Sequence, residues 1–272
     1  MPEEKKTAIV GGGKMGSIIA RGLITQKIHA AKDIIIADID AQRLNVLRKS
    51  LKTKVSLDNK KAVSGAHVII LAVKPQNMAM TLQDISPVVT PSQTVISIAA
   101  GVTTKFIESH LTKGVRVIRV MPNTPALAGE GVAAITAGRY ARAADIKKAR
   151  SIFDAVGISV EVDEKLMDAV TGLSGSGPAY FFLIIEALIE AGVKTGLSRS
   201  LAKQLAAQTM LGAARLCLES DQEPAQLREM VTSPNGTTFA GLKVMESNNI
   251  RKIMVATVQA ATKRSRELAR GK

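Results

Sequence analysis

The sequence predicts an α/β protein in two parts: an N-terminal, doubly wound, mostly parallel sheet followed by an all-α C-terminal domain built for dimerisation. Short β-branched runs alternate with helical patterns as far as Val162. From Asp163 onward the strand signal vanishes and only helical periodicity remains. Two Gly-rich turns, at 11–16 and 233–238, mark the two parts as separate binding surfaces. A chain of 272 residues is long enough for two domains. We expect a dinucleotide-binding domain over 1–165 and a helical dimerisation and substrate domain over 166–272.

The elements follow in order. Strands are predicted at 7–11, 33–38, 67–73, 94–99, 115–121, 131–137 and 158–162, each apolar and rich in β-branched residues. Helical patterns at 15–26, 41–51 and 142–156 lie between them. That rhythm implies βαβ crossovers and a sheet covered on both faces. The second part reads as successive helices at 178–192, 198–220, 223–231, 237–247 and 249–270, joined by short turns. No repeat, low-complexity tract or flexible linker is visible.

Composition narrows the function classes. Apolar residues make up 46% of the chain, so a packed core is expected rather than disorder. The single cysteine, Cys217, rules out an intramolecular disulfide and fits a reducing compartment. Met1 to Lys6 are polar and run straight into the first strand, so no signal peptide is expected. The longest uncharged stretch, 85–104, is broken by Pro87, Pro91 and Gly101, which argues against a membrane helix. The expectation is a soluble cytoplasmic protein with no membrane partner. A net charge of +14 can signal nucleic-acid binding. Yet the 37 Lys and Arg are scattered, and only the last helix is dense in them (Lys263, Arg264, Arg266, Arg270, Lys272). There is no Trp, and the few Tyr and Phe are not interleaved with basic residues as stacking platforms. No nucleic-acid partner is expected, and no metal site.

The first Gly-rich turn carries the clearest chemistry. Gly11-Gly12-Gly13-Lys14-Met15-Gly16 places G-x-G-x-x-G between a strand and a helix. Gly11 permits the tight turn, Gly13 lets the backbone approach a pyrophosphate, and Gly16 lets the helix pack on the strand. The phosphates then meet free N–H groups at the positive end of the helix dipole. Asp38, at the end of the second strand, stands where an acid reads a ribose 2′-hydroxyl and repels a 2′-phosphate, which favours NADH over NADPH. Arg43 and Lys14 pull the other way. Asp40 is an alternative reader, which would leave Asp38 as a helix cap. Leu71-Ala72-Val73-Lys74-Pro75 and Ser97-Ile98-Ala99-Ala100-Gly101 close two further strands at the carboxyl edge, where open α/β sheets hold ligands. Ordinary turn chemistry is the plain alternative there.

The second turn, Ser233-Pro234-Asn235-Gly236-Thr237-Thr238, precedes a helix, and its successive N–H groups with two hydroxyls can seat a small anion. A capped helix–helix turn is the alternative reading. Gly172-Leu173-Ser174-Gly175-Ser176-Gly177-Pro178-Ala179-Tyr180 opens another helix, with Pro178 suited to its first turn.

Taken together, Gly-x-Gly-x-Met-Gly, Ala-Val-Lys-Pro, Ser-Ile-Ala-Ala-Gly-Val, Arg119-Val120-Met121-Pro122-Asn123-Thr124-Pro125, Gly-Leu-Ser-Gly-Ser-Gly-Pro-Ala-Tyr and Ser-Pro-x-Gly-Thr-Thr resemble pyrroline-5-carboxylate reductases along essentially the whole chain. The resemblance implies a Rossmann-like first domain and reduction of the cyclic imine 1-pyrroline-5-carboxylate to L-proline with NADH or NADPH, the last step of proline synthesis. It implies that Gly11, Gly12, Gly13, Lys14, Met15, Gly16, Ala72, Val73, Lys74, Pro75, Ile98, Ala99 and Ala100 line the dinucleotide, with Asn59 on the adenosine side. It assigns the substrate carboxylate to Ser233, Gly236, Thr237 and Thr238, with Thr238 catalytic beside the ring nitrogen, and Glu164 and Asp221 as acids near that site. The family usually has Glu at Asp221, Asn or Gln at Lys14, and Gly at Asn235. Asn tolerates positive φ, so the last departure leaves the loop able to form. The resemblance further implies an interleaved homodimer, often assembled into a decamer, with sites completed across subunits.

Independent chemistry agrees. A ketone acceptor needs a strong proton donor, often His or Lys. His29, His67 and His110 lie in no motif. The β-hydroxyacid dehydrogenases, similar at the N-terminus, carry a Lys on the helix after a Gly-rich turn, where residues 181–185 here are all apolar. A cyclic imine is basic enough to be protonated near neutral pH. A threonine hydroxyl suffices for it, and Asp221 or Glu164 can stabilise the iminium.

Overall fold

A computed structural model describes residues 6–270. The polar start, Met1 to Lys5, on which the signal-peptide expectation rests, and Lys272 of the basic tail lie outside the described residues. The chain divides into two compact units, Met1–Ser176 with Ala261–Lys272, and Gly177–Ala260.

The first unit is organised by one eight-stranded sheet in the order β3-β2-β1-β4-β5-β6-β7-β8. Its strands are β1 (Thr7–Val10), β2 (Ile34–Ala37), β3 (Lys54–Ser56), β4 (Val68–Leu71), β5 (Thr94–Ser97), β6 (Arg116–Met121), β7 (Gly131–Ala137) and β8 (Gly157–Glu161). All pairings are parallel except β6 with β7. Each strand centres on the run that the sequence marks, because β-branched side chains suit a pleated surface buried on both faces. The exception is β3. It is three residues long, begins on an exposed lysine and occupies the sheet edge, so no apolar run announces it.

Period-two alternation sends side chains into two cores. Ile9, Ile36, Ile70, Ile96 and Ile118 face one way, packed with Ile19 and Leu23 of α1 (Lys14–Thr25), Leu44 and Leu47 of α2 (Ala41–Leu51), and Ile152 and Phe153. Ala8, Val10, Ile69, Leu71, Val95 and Val117 face the other way, against Met78, Leu82 and Ile85 of α4 (Met78–Ile85) and Ile107 of α5 (Thr104–Ser109). Helix α3 (Asn59–Val63) precedes β4, and α6 (Ala143–Phe153) precedes β8. Chain order reverses between β1 and β4, which opens a crevice at the carboxyl edge of the sheet beside them. After β8 come α7 (Met167–Val170) and a wide π-type turn, Thr171–Gly175.

The second unit holds α8 (Gly177–Lys194), α9 (Arg199–Glu219), α10 (Pro224–Met230), α11 (Thr237–Ser247) and most of α12 (Ile250–Arg270). Ser198 caps α9 by accepting the Leu201 N–H, and Pro224 opens α10 from its first turn. These helices bury little of their apolar surface in the single chain: Phe181, Phe182 and Leu183 are 53%, 59% and 66% exposed. The helical stretch Glu164–Lys194 is long and apolar enough to cross a membrane by length and composition alone.

Candidate active site

The crevice between β1 and β4 is where the first Gly-rich turn sits. Gly11 has φ of +108°, and a Cβ there would stand 2.6 Å from the Ala72 carbonyl oxygen. Only glycine passes both tests. A Cβ on Gly16 would meet the Gly11 carbonyl oxygen, which is the close helix–strand packing that the motif requires. Gly13 is different. Nothing stands within 4 Å of its missing Cβ, and it begins α1 with no side chain capping the free N–H groups. Backbone donors and the positive helix end therefore face open space, a fit for a pyrophosphate.

Asp38 is buried directly behind this turn. Its carboxylate accepts the Gly12 N–H at 2.7 Å and the Asp40 N–H at 2.9 Å, and Arg43 Nη1 donates to both oxygens at 2.9 Å. Burial pushes this carboxyl up, but the bonds from Asp40, Arg43 and Gly12 outweigh it and hold the group below the usual carboxylate range. Asp40 caps α2 by accepting the Arg43 N–H at 3.0 Å. Of the two acids the sequence left open, Asp40 is the helix cap and Asp38 faces the crevice. Arg43 also pairs with Asp40, and its side chain remains 45% exposed.

The crevice has a volume of about 860 Å³. Of the expected cofactor residues, Gly11, Gly13, Lys14, Asp38, Asn59, Ala72, Val73 and Lys74 line it. Gly12 instead packs against Leu47 and serves Asp38, and Met15 rests on the core. Pro75 opens a single 3-10 turn before α4. Ile98, Ala99 and Ala100 lie at the carboxyl end of β5 outside this cavity's lining, with Ala99 buried. Asn59 donates to Asp84 Oδ2 at 3.0 Å. Asn77, Met80, Thr81 and Asp84 also line the cavity and were not singled out in the sequence. Their three- and four-residue spacing on one helical face was the available signal. Ile39 and Leu57 expose apolar surface at the same mouth, suited to cover a flat ring.

Further along the carboxyl edge, Asn123 is buried and ties two turns together. Its Nδ2 donates to the Ser174 carbonyl at 3.1 Å, and its Oδ1 accepts the Val132 N–H at 3.0 Å. Glu164 faces the same edge: it accepts the Thr104 N–H at 2.7 Å and the Thr104 hydroxyl at 2.5 Å. In the single chain this carboxylate is occupied by Thr104, the first residue of α5, which Thr103 caps.

In the second unit, the loop before α11 takes the form that an anion seat needs. Asn235 has φ of +57°, the left-handed conformation that this residue tolerates. The Gly236 N–H turns back to the Ser233 carbonyl at 3.0 Å, and the first helical bond closes at Ala240. The N–H groups of Thr237, Thr238 and Phe239 are left pointing out of the helix, and no side chain caps them. Among the described residues, neither threonine hydroxyl has a hydrogen-bond partner. Asp221 lies in the exposed turn between α9 and α10.

Comparison with known proteins places these features in context. Residues 164–268 match a family model described as pyrroline-5-carboxylate reductase dimerisation. Residues 6–101 match one described as NADP oxidoreductase, coenzyme F420-dependent. A pyrroline-5-carboxylate reductase of Methanosarcina acetivorans is 44% identical over 98% of this chain and 99% of its own length. Among solved structures, a pyrroline-5-carboxylate reductase from Coxiella burnetii superposes with a TM-score of 0.91 at 38% identity, covering 98% of this chain and 99% of that one. A Plasmodium falciparum pyrroline carboxylate reductase with NADP bound gives 0.89 at 34% identity, with the same coverage.

Proposed function

The chain belongs to the pyrroline-5-carboxylate reductase family and reduces the C=N bond of 1-pyrroline-5-carboxylate to proline with NAD(P)H; we propose how its residues divide that work. Residues 1–165 hold the dinucleotide, and residues 166–272 hold the substrate and a second copy of the chain. NAD(P)H, when bound, supplies the hydride.

The observation that carries the substrate assignment is the uncapped start of α11 with its two free threonine hydroxyls. The outward N–H groups of Thr237 and Thr238, at the positive end of an eleven-residue helix, take the substrate carboxylate. Ser233 and Gly236 shape that turn, and a Cβ on Gly236 would displace the Ser233 hydroxyl and stand 3.2 Å from the Ser233 carbonyl oxygen. Thr238 Oγ1 orients the ring nitrogen and manages its proton as the C=N electron pair moves onto nitrogen. Asp221 and Glu164 supply negative charge for the iminium form. A neutral hydroxyl is sufficient because the protonated imine is already an electrophile. This explains a site built without a catalytic His or Lys.

On the cofactor side, Gly11 to Gly16 and α1 hold the pyrophosphate, Asn59 and Asp38 lie toward the adenosine, and Ala72 to Pro75 with Ile98 to Ala100 lie toward the nicotinamide. Asp38 favours NADH by disfavouring a 2′-phosphate. One observation favours NADPH instead. The Arg43 guanidinium is half-exposed on the rim and already neutralises Asp38. Initial rates with NADH and NADPH, on the five-membered imine and its six-membered homologue, test both points. Faster turnover with NADH supports Asp38 as the reader, whereas faster turnover with NADPH transfers the role to Arg43. Poor turnover of the five-membered imine beside rapid turnover of the six-membered one would overturn the substrate assignment.

The apolar faces of the helical domain are covered by a second protomer rather than by lipid, and a decamer of five dimers is the proposed further assembly. The protein works in the cytoplasm.

A further inference from the structure

The turn 98–104, which joins β5 to α5, is packed into the core at Ala99 and Val102 and has few polar anchors of its own. Its residues before α5 are Ile98, Ala99, Ala100, Gly101, Val102 and Thr103, and Gly101 has φ of +68°. Within the turn and its strands, Ile98 N–H bonds the Leu71 carbonyl at 3.1 Å and Ala99 N–H bonds Ser97 Oγ at 3.3 Å. Beyond these, two distant segments support it. At one end, Glu164 takes both the N–H and the hydroxyl of Thr104, while Arg119, only 3% exposed on β6, stands 3.4 Å from the same carboxylate. At the other end, the last turns of α12 back onto Gly101, so that a Cβ on this glycine would lie 3.3 Å from the Ala269 nitrogen. Those turns are fixed in place by the buried Ser265, whose hydroxyl donates to Asp168 Oδ1 at 2.7 Å across 97 residues of chain. Glu164 and Asp168 lie four residues apart, so a single short segment holds both supports.

We propose that Glu164, Asp168 and Ser265 form a clasp that positions the turn 98–104 for the nicotinamide end of the cofactor, without touching the cofactor themselves. The inference rests on the reading that Ile98 to Ala100 line the nicotinamide. Between the packed Ala99 and Val102, the small Ala100 and the left-handed Gly101 can shift by a fraction of an ångström at little internal cost. Errors of that size at a reacting centre cost rate steeply, about a hundredfold for one ångström. The adenosine end is independent, because Asp38, just after β2, is bonded to both Gly12, just after β1, and Arg43 of α2. The clasp therefore acts on one half of the cofactor only.

The test uses the full chain and two ligands: ADP-ribose, which reaches only the adenosine half, and NAD(P)H. Both are titrated calorimetrically against wild type, Ser265→Ala, Asp168→Ala and the conservative Ser265→Thr and Asp168→Asn. The alanine variants are expected to bind ADP-ribose within twofold of wild type, to bind NAD(P)H about tenfold more weakly, and to lose kcat, at unchanged oligomeric mass. The conservative variants are expected to regain most of the loss. Alanine variants with wild-type NAD(P)H affinity and kcat would overturn the clasp. So would equal weakening of both ligands, which marks general destabilisation. Should wild type itself bind ADP-ribose as strongly as NAD(P)H, the nicotinamide-lining reading fails, and the clasp fails with it for that separate reason.

Discussion

The two units solve the problem of burying apolar surface in opposite ways. The first unit buries its central strands under a helix layer on each face of the sheet, so most of its core is closed within one chain. Helix α8 of the second unit is as apolar as any in the protein, yet among its described residues only Gly177 and Ile189 are buried. A monomer that leaves Phe181, Phe182, Leu183 and Leu188 about half in water forgoes about 1–1.5 kcal/mol per side chain. On the proposed reading, cofactor binding falls to the domain that closes its core by itself. Substrate binding, on the same reading, falls to the domain whose apolar helices are left open in the single chain. The match of residues 164–268 to a dimerisation family agrees with that division.

The sharpest way to break this contrast is to charge the helical face. Phe182→Glu alters both copies at once, and losing two buried phenylalanines weakens association by about a hundredfold or more. Sedimentation is expected to show monomers that still bind NAD(P)H but barely turn over. Retained oligomers would show that the face is not the interface. The next effect is chemical. Thr238→Ala is expected to lower kcat about a hundredfold, the scale of one lost proton-handling group, while cofactor affinity holds. Unchanged kcat/KM removes Thr238 from the mechanism. A single methyl in the first unit follows. Gly16→Ala forces the Gly11 carbonyl aside, with an expected loss of about 1–3 kcal/mol in stability and weaker cofactor binding, measured by denaturant titration and calorimetry. Asp38→Ala should shift the NADH-to-NADPH ratio toward NADPH by severalfold, and an unmoved ratio reassigns ribose reading.

The smallest expected effect is a pH effect in the first core. Burial pushes Asp145 up, but Thr94 Oγ1 at 2.7 Å, the Arg142 N–H, Lys148 and Arg116 together hold it below the usual range. Its folded form favours the carboxylate, so the stabilisation is full at neutral pH and is lost as the pH falls below about 4. Denaturation midpoints of Asp145→Asn should fall less steeply on acidification than those of wild type, and parallel curves would contradict this.

Most of the fold was legible because periodicity is a local property. The helices Ala41–Leu51 and Thr237–Ser247 begin and end where the sequence says. The short edge strand β3 was not legible, since its placement depends on pairing with β2 and not on its own composition. The site divides in the same way. The glycine motif and the Ser-Pro-Asn-Gly-Thr-Thr turn announce themselves, because backbone conformation demands particular residues. The split of Asp38 and Asp40 into crevice acid and helix cap required coordinates. So did the pairing of Asp168 with Ser265, because no local pattern links two polar residues so far apart in the chain.

The most direct test is to follow oligomeric mass and specific activity together as wild-type protein is diluted. The account predicts assemblies built from pairs of protomers, with 1-pyrroline-5-carboxylate reduction falling as the pairs separate and NAD(P)H binding persisting. A monomer with full specific activity would contradict it.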